Sequence, residues 1–233
     1  MPSSELYVTL AEFKAYVGKT ETAHDTSIST FEIPGVCRLI DNHCGRMEDG
    51  FVSPALATAR IFSGSGKKYQ WIPECTVISL VEVKESVTDT AYTAWAAGDW
   101  RAFTGDPNYP DFNTLPYSGI MIDPTGSKSH FISGLFSYME GFPPDESTSQ
   151  IGRGAPTVRV TAKWGYASVV PDVVKNATMI ELSRWWKQEQ SAWADTIANP
   201  ELQRLQFTQG LHPATIELLD NSGLVRKHLP GIS

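Results

Sequence analysis

Residues that commonly do chemistry are present in this sequence, but their spacing matches no catalytic or metal-binding pattern. Asp41, His43 and Cys44 place an acid, a base and a nucleophile within four residues, yet side chains so close in sequence point apart on a helix. No histidine has a second histidine at helical or strand spacing. We therefore predict no catalytic residue, no metal site and no cofactor. The histidines are His24, His43, His130, His212 and His228.

A glycine-rich segment and a group of aspartates could in principle hold a phosphate or a metal. Residues 64–68 read Gly-Ser-Gly-Lys-Lys, but the first glycine of a P-loop is missing and no helical pattern follows. We interpret this segment as a hairpin turn between two strands. The aspartates match no calcium loop in their spacing, so we interpret them as solvated turn residues. They are Asp106, Asp111, Asp123 and Asp145.

Seven tryptophans could stack on sugars or bases, or could pack in a core or an interface. Three lie in the middle of the chain, where an exposed binding platform is conceivable. Four lie on a strand and a long helix, where packing in the core or between subunits is favoured. The first group is Trp71, Trp95 and Trp100, and the second is Trp164, Trp185, Trp186 and Trp193.

Composition restricts the classes of protein to consider. The chain has 233 residues, of which 41% are hydrophobic and 19% are charged, and its net charge is −7. A non-specific nucleic-acid binder is normally basic. The charged fraction is below the usual quarter, which indicates that part of the surface faces protein.

Cysteine usage and the N-terminal sequence predict the compartment. Cys37, Cys44 and Cys75 are too few for a disulfide scaffold and lack zinc spacing. No signal peptide and no apolar run near ~20 residues is evident. We therefore predict reduced cysteines in a protein made in the cytoplasm, without membrane contact.

Two helices are predicted near the N-terminus. Thr9 and Glu12 have the spacing of a capping box, and Gly18 is a suitable stop, so residues 10–17 should be helical. A second helix should end at Gly45. Proline 34 should kink or break that helix, because it lacks the N–H group and clashes with the preceding turn.

The middle of the chain loses helical periodicity and gains glycine, proline and β-branched residues. The clearest strand is Thr157–Tyr166, where apolar and polar residues alternate. Other strand candidates are Thr58–Ser63, Lys68–Ile72, Val77–Glu85, Ala91–Ala96, Arg101–Thr104, Gly119–Ile122 and Phe131–Phe136.

A long helix is predicted over Pro171–Ala198. It is apolar on several sides in its first half, which indicates burial by several neighbours, some of them in another subunit. A short helix is plausible over Pro213–Leu219. We interpret residues 221–233 as an extended tail with basic residues and no acidic one.

The order of these elements resembles that of the head–tail connector (adaptor, head-completion) proteins of tailed bacteriophages. The similar segments are Tyr7–Gly18, Asp41–Arg46 and Thr157–Tyr166, the last leading through Val170-Pro171-Asp172-Val173 into the long helix. The resemblance covers roughly residues 1–46 and 157–198. The sequence departs from the family at Pro34-Gly35, which interrupts the second helix, and in its longer middle region.

The resemblance implies an α+β fold with a mainly helical connector core interrupted by a β-rich insertion. Residues 1–46 and 157–233 would form the core and residues 47–156 the insertion. It also implies a structural virion protein, not an enzyme, that is made in the bacterial host and located in the neck of the virion. A dodecameric ring would join the portal protein to the next connector, stopper or tail protein. Double-stranded DNA would pass through without sequence-specific contact, and an acidic channel would repel its phosphates.

Two groups of residues are predicted to make protein contacts. The portal-binding tail is Leu224, Val225, Arg226, Lys227 and Leu229, and the subunit interface is Trp185, Trp186 and Trp193.

Two other functions remain open from the residues alone. One is a carbohydrate- or ligand-binding β module of a phage tail or other structural protein, using the middle tryptophans. The other is a hydrolase whose site is assembled only in the folded chain.

Overall fold

The computed structural model describes residues 6–46, 49–134, 155–190 and 210–226. The chain forms two compact units. The helical unit consists of residues 1–51 and 169–233, and the sheet unit consists of residues 52–168.

Helix α1 of the helical unit spans Leu10–Val17, as predicted. The Thr9 hydroxyl accepts a hydrogen bond from the Glu12 N–H at 3.2 Å, and the Glu12 carboxylate accepts one from the Thr9 N–H at 2.8 Å. This reciprocal pair satisfies donors that the first turn leaves open. Gly18 ends the helix in the left-handed conformation, with φ 67°.

The second predicted helix is divided at Pro34, as the sequence indicated. Helix α2 spans Asp25–Ser27, a π-helical turn spans Ile28–Glu32, and helix α3 spans Ile33–His43. The Ile33 N–H donates to the Ile28 carbonyl, five residues back. Pro34 has no N–H to continue the preceding register, so the wider turn leads into a new helix.

Helices α4 and α5 complete the helical unit. Helix α4 spans Asp172–Gln190 and buries Val174, Ala177 and Leu182 completely. Residues 191–198 of the predicted long helix lie outside the described residues. Helix α5 spans Pro213–Asn221, two residues longer than predicted. Over the ranges described, no helix is both long and apolar enough to span a bilayer.

The sheet unit contains six strands in the order β1-β6-β2-β5-β4, with β3 paired to β2 and every pairing antiparallel. Strand β2 is long because it pairs with two neighbouring strands along its length. Its beginning pairs with β5, its second half pairs with β6, and register shifts between them bend it. The strands are β1 Thr58–Ser63, β2 Tyr69–Val83, β3 Thr93–Ala94, β4 Trp100–Phe103, β5 Tyr117–Ile122 and β6 Pro156–Trp164.

The prediction of a mainly helical core is wrong. The described residues contain a six-stranded antiparallel sheet beside helices that are mostly short, so the structure is not mainly helical. Strand β6, which we assigned to the helical core, lies inside the sheet between β1 and β2. Its alternate residues Val158, Val160 and Ala162 are fully buried in the hydrophobic cluster of that sheet. The alternating pattern was correct, but it does not show which strands a segment pairs with.

The predicted hairpin at residues 64–68 is also wrong, since β1 and β2 both pair with β6 and not with each other. Gly64 instead allows a close approach of three chain segments. Its N–H donates to Thr157 Oγ1 at 3.0 Å, and that hydroxyl donates to the Ile132 carbonyl at 2.7 Å. A Cβ atom on Gly64 would lie 1.9 Å from the Ile132 oxygen.

Two further strand predictions need correction. The candidates at 68–72 and 77–85 are parts of the single strand β2. Residues 131–134 are not a strand, although Phe131 N–H donates to the Lys67 carbonyl and Gly134 N–H to the Gly64 carbonyl, each at 2.9 Å. Residues 135 and 136 lie outside the described residues.

Gly64→Ala should lower the free energy of unfolding by about 1–3 kcal/mol, because the new methyl group must displace backbone. Urea denaturation monitored by tryptophan fluorescence would measure this. Gly98→Ala is the matched control, since a Cβ there meets nothing within 4 Å. Equal unfolding midpoints for the two variants would contradict the packing described at Gly64.

Candidate interaction site

The start of the predicted tail is attached to the loop that follows α3. Arg226 N–H donates to the Cys44 carbonyl and its guanidinium Nη1 donates to the Gly45 carbonyl, each at 3.2 Å. Leu224 is buried, and its carbonyl accepts a hydrogen bond from Arg46 Nη2 at 3.0 Å. Three residues of the predicted portal-binding tail, including half-buried Val225, therefore form part of the helical unit. Lys227 and Leu229 lie outside the described residues.

Local sequence explains this attachment. Gly223 has φ 72°, which lets the chain turn directly after α5. The side chain of Arg46 is only 2% exposed and lies over the Phe51 ring, 4.9 Å from its centroid. Its guanidinium thus reaches the Leu224 carbonyl from an apolar surrounding, where a charge-assisted hydrogen bond is strong.

Helix α5 is positioned by a buried carboxylate on α4. Glu181 has no exposed surface, and its two oxygens accept hydrogen bonds from the His212 N–H at 2.5 Å and from Arg184 Nε at 2.9 Å. Arg184 Nη2 donates to the Gly210 carbonyl at 2.9 Å. No pattern in the sequence predicted this network. The signal available in the sequence was Glu181, an acidic residue between Ile180 and Leu182 on a helix that is apolar on several sides.

The acid, base and nucleophile at residues 41–44 do not form a common site. Asp41 accepts a hydrogen bond from the Tyr7 hydroxyl, and His43 Nε2 contacts Asp220 Oδ1 at 2.8 Å. Cys44 is fully buried, and burial raises the pKa of its thiol to about 11. Asp41 and His43 thus have separate partners, and the Cys44 thiolate is disfavoured by burial.

Asp41 and Tyr7 form a buried polar pair. Asp41 is 7% exposed and Tyr7 is 3% exposed, and the Phe51 N–H donates to the Tyr7 hydroxyl at 3.0 Å. Burial raises the pKa of Asp41 to about 6, although the Tyr7 hydrogen bond and the charges of Arg38 and Arg46 act in the opposite direction. Burial and the neighbouring Asp41 carboxylate also raise the pKa of Tyr7.

The two described tryptophans of the predicted subunit interface pack within the helical unit. Trp186 is 7% exposed, and its ring is perpendicular to that of His24 at 5.3 Å. Trp185 is half-buried beside Gly35, where a Cβ atom would lie 3.4 Å from two ring atoms. Gly35, directly after Pro34, therefore places a small residue against Trp185. Trp193 lies outside the described residues.

The middle tryptophans do not form one exposed platform. Trp95 is 8% exposed and packs on Phe131 at 4.9 Å. Trp100 is partly buried against the hydrophobic cluster of the sheet. Trp71 is 37% exposed and leans on Phe103 at 5.5 Å.

The described aspartates of the candidate metal group lie in or beside turns, but Asp123 is not solvated as predicted, since it is 5% exposed and forms an ion pair with Arg101. The side chain of Asp106 accepts from the Asn108 N–H at 2.8 Å, and that of Asp111 accepts from the Asn113 N–H at 2.8 Å. Hydrogen bonds from Thr125 lower the pKa of Asp123. Within the described ranges, no group of three potential ligands is arranged to hold a metal. Asp145 lies outside those ranges.

Two of the solved structures that are similar to this chain come from necks of a phage-like particle. One is described as the neck of an empty GTA particle computed with C6 symmetry, and the other as the neck of a native GTA particle computed with C12 symmetry. Each match covers 93% of this chain and 92% of the other, with a TM-score of 0.45 and identities of 11% and 12%. Values this low establish neither a shared fold nor a shared function. No protein-family model and no curated protein matches the chain.

The Asp41 carboxyl should make stability depend on pH. Its pKa is higher in the folded state than the ordinary 3.8, so the folded state binds the proton more tightly. The free energy of unfolding should therefore fall as pH rises from about 4 to about 6, by up to about 3 kcal/mol. Asp41→Asn should remove this component of the slope.

Urea denaturation at several pH values would measure the difference between wild type and Asp41→Asn. Asp106→Asn is the matched control at an exposed loop and should keep the wild-type slope. Parallel curves for wild type and Asp41→Asn would contradict the assignment to Asp41.

Proposed function

We propose that this chain is a structural neck protein of a tailed phage-like particle, without catalytic activity. It forms a ring that joins the portal to the next connector or tail protein and surrounds the DNA channel. One observation carries most of the proposal. The segments that resemble the connector family, at Tyr7–Gly18 and around the start of α4, lie in the same unit, although they are far apart in the chain.

The contact between these two segments is specific. The Glu12 carboxylate forms an ion pair with the Lys175 ammonium, across 163 residues of sequence. This hydrogen bond and those from Thr9 lower the pKa of Glu12 to about 2. Glu12 thus caps α1 and also joins it to α4. The resemblance therefore extends from separate sequence segments to elements that pack together.

The charge of the chain and the separate partners of Asp41 and His43 support a structural role. The net charge of −7 suits a channel surface from which DNA phosphates are repelled. The clearest sequence candidate for a nucleophile and its base, at residues 41–44, is divided among separate partners.

Mixing the chain with its portal protein should give portal particles that carry an added ring. Negative-stain electron microscopy and co-sedimentation would measure the complex. A chain that stays monomeric and never binds portal would overturn the proposal. A chain that is monomeric in the absence of portal would not overturn the proposal, because the ring need only assemble on the portal.

The structure restricts the part of the predicted portal-binding tail that can be removed without loss of stability. Removing Leu224 would damage the helical unit, since this side chain is buried. Deletion of residues 227–233 leaves the described contacts of Leu224 and Arg226 in place. We expect this deletion to keep the wild-type thermal unfolding midpoint and to abolish co-sedimentation with the portal.

Leu224→Ala is the control, because it should reduce stability, whereas the deletion should not. It should lower the unfolding free energy by about 2–3 kcal/mol, because it removes buried apolar side chain. Undiminished portal binding by the chain that lacks residues 227–233 would show that the tail is not the portal contact.

A further inference from the structure

The loop between β4 and β5, residues 104–116, presents large apolar side chains to solvent. We call it the acidic loop. Tyr109 is 86% exposed, Leu115 is 51% exposed and Phe112 is 36% exposed. From residue 102 to residue 127 the sequence contains aspartates but no lysine or arginine. The loop therefore combines protruding apolar groups with negative charge.

The backbone of the acidic loop is held in place. Thr104 and Asp111 exchange two backbone hydrogen bonds, of 2.7 and 3.0 Å. The Thr104 hydroxyl also lies 2.7 Å from the Thr114 carbonyl oxygen and 2.6 Å from that of Pro116. A loop fixed in this way loses little conformational entropy when a partner binds it.

A second exposed apolar surface of the sheet unit lies on β1, β6 and β2. We call it the outer face, and it comprises Ile61, Val77, Leu80, Thr161 and Lys163. Thr161 and Lys163 alternate with the buried residues of β6 and so point away from the core. Leu80 pairs with Thr161, and Val77 pairs with Lys163.

The outer face is apolar with a positive charge at one side. Ile61 is 55% exposed, Val77 is 47% exposed and Leu80 is 37% exposed. Arg159, opposite Ile61, is neutralised by its ion pair with Glu82. Among the ion pairs of the described residues, none involves Lys163.

We infer that the acidic loop of one copy docks on the outer face of the next copy. Tyr109 packs against Leu80 and Val77, and the loop carboxylates face Lys163. This contact deepens the proposed ring and rests on it. The two surfaces are complementary in charge, and both offer apolar groups that water solvates poorly.

The two surfaces lie at different places on the sheet, so the same contact can repeat from one copy to the next. The acidic loop follows β4, at one end of the strand order, and the outer face includes β1, at the other end. A contact between two different surfaces of identical copies is heterologous. Such a contact continues from copy to copy and closes into a ring when its rotation permits.

Disulfide trapping tests the contact in the full chain. Tyr109→Cys and Leu80→Cys are prepared separately, mixed in equal amounts and oxidised gently. The native cysteines are at most 5% exposed and should not interfere. Since docking raises the local thiol concentration, the mixed dimer should form about tenfold faster than with Tyr16→Cys in place of Tyr109→Cys.

Tyr16 is a suitable control because it is 60% exposed and lies on α1 of the helical unit, whereas both surfaces belong to the sheet unit. Adding Lys163→Glu to the Leu80→Cys chain should slow the cross-link, whereas adding Lys68→Glu should not. Equal rates for Tyr109→Cys and Tyr16→Cys would overturn the inference, and the two surfaces would then be free for another protein or a glycan.

A chain with both Tyr109→Cys and Leu80→Cys separates this contact from the proposed function. It should give a ladder of covalent oligomers, whereas oxidation that stops at dimers would overturn a repeating contact. Rings on the portal without an 80–109 link would overturn the contact and leave the proposed function intact. A ladder of covalent oligomers from a chain that never joins the portal would support the contact and overturn the proposed function.

Discussion

The architecture depends on a contact that closes the sheet unit where the chain enters and leaves it. Val52 and Ala167 form a parallel bridge, and the Ser53 N–H donates to the Ala167 carbonyl at 2.8 Å. Gly165 makes this possible, since its φ is 146° and a Cβ atom there would lie 2.7 Å from Ser53 backbone atoms. Because the sheet unit begins and ends at one place, the two ends of the chain can form a single helical unit.

Polar groups then fix the helical unit in a way that apolar packing alone does not. Glu181 holds the start of α5, Asp41 holds Tyr7, and Arg46 holds Leu224. Each is a charged or titratable side chain that is buried and hydrogen-bonded. Loss of one partner would leave the other buried without compensation, which costs more than the bond itself contributes. The helices are short, so these directional contacts define their places more sharply than a uniform apolar face would.

Local signals predicted local structure well. The capping box at Thr9 and the stop at Gly18 gave the limits of α1, and Pro34 predicted the division between the π-helical turn and α3. Strand β1 also has its predicted limits. These features depend on a few neighbouring residues, so their sequence signals are complete.

Long-range pairing could not be read from the same signals. The alternation in β6 indicated a strand with one buried side, but not its place between β1 and β2, and this led to the wrong fold class. The roles of Glu181 and Arg46 were missed for a similar reason, because their partners lie 31 and 178 residues away. The predicted contact residues Trp185 and Trp186 were placed on the correct helix, yet their neighbours in the folded chain were not predictable from the spacing.

The proposed neck function requires that identical copies of this chain surround a channel. A subunit with a helical unit built from both chain ends and an inserted sheet can use one unit for the portal and the other for its neighbours. Cryo-electron microscopy of the neck of particles that contain this chain is the sharpest test of that arrangement. We expect a ring between portal and tail whose subunit density fits both the helical unit and the six-stranded sheet. A neck of such particles in which no ring fits these two units would show that the chain is not a neck subunit.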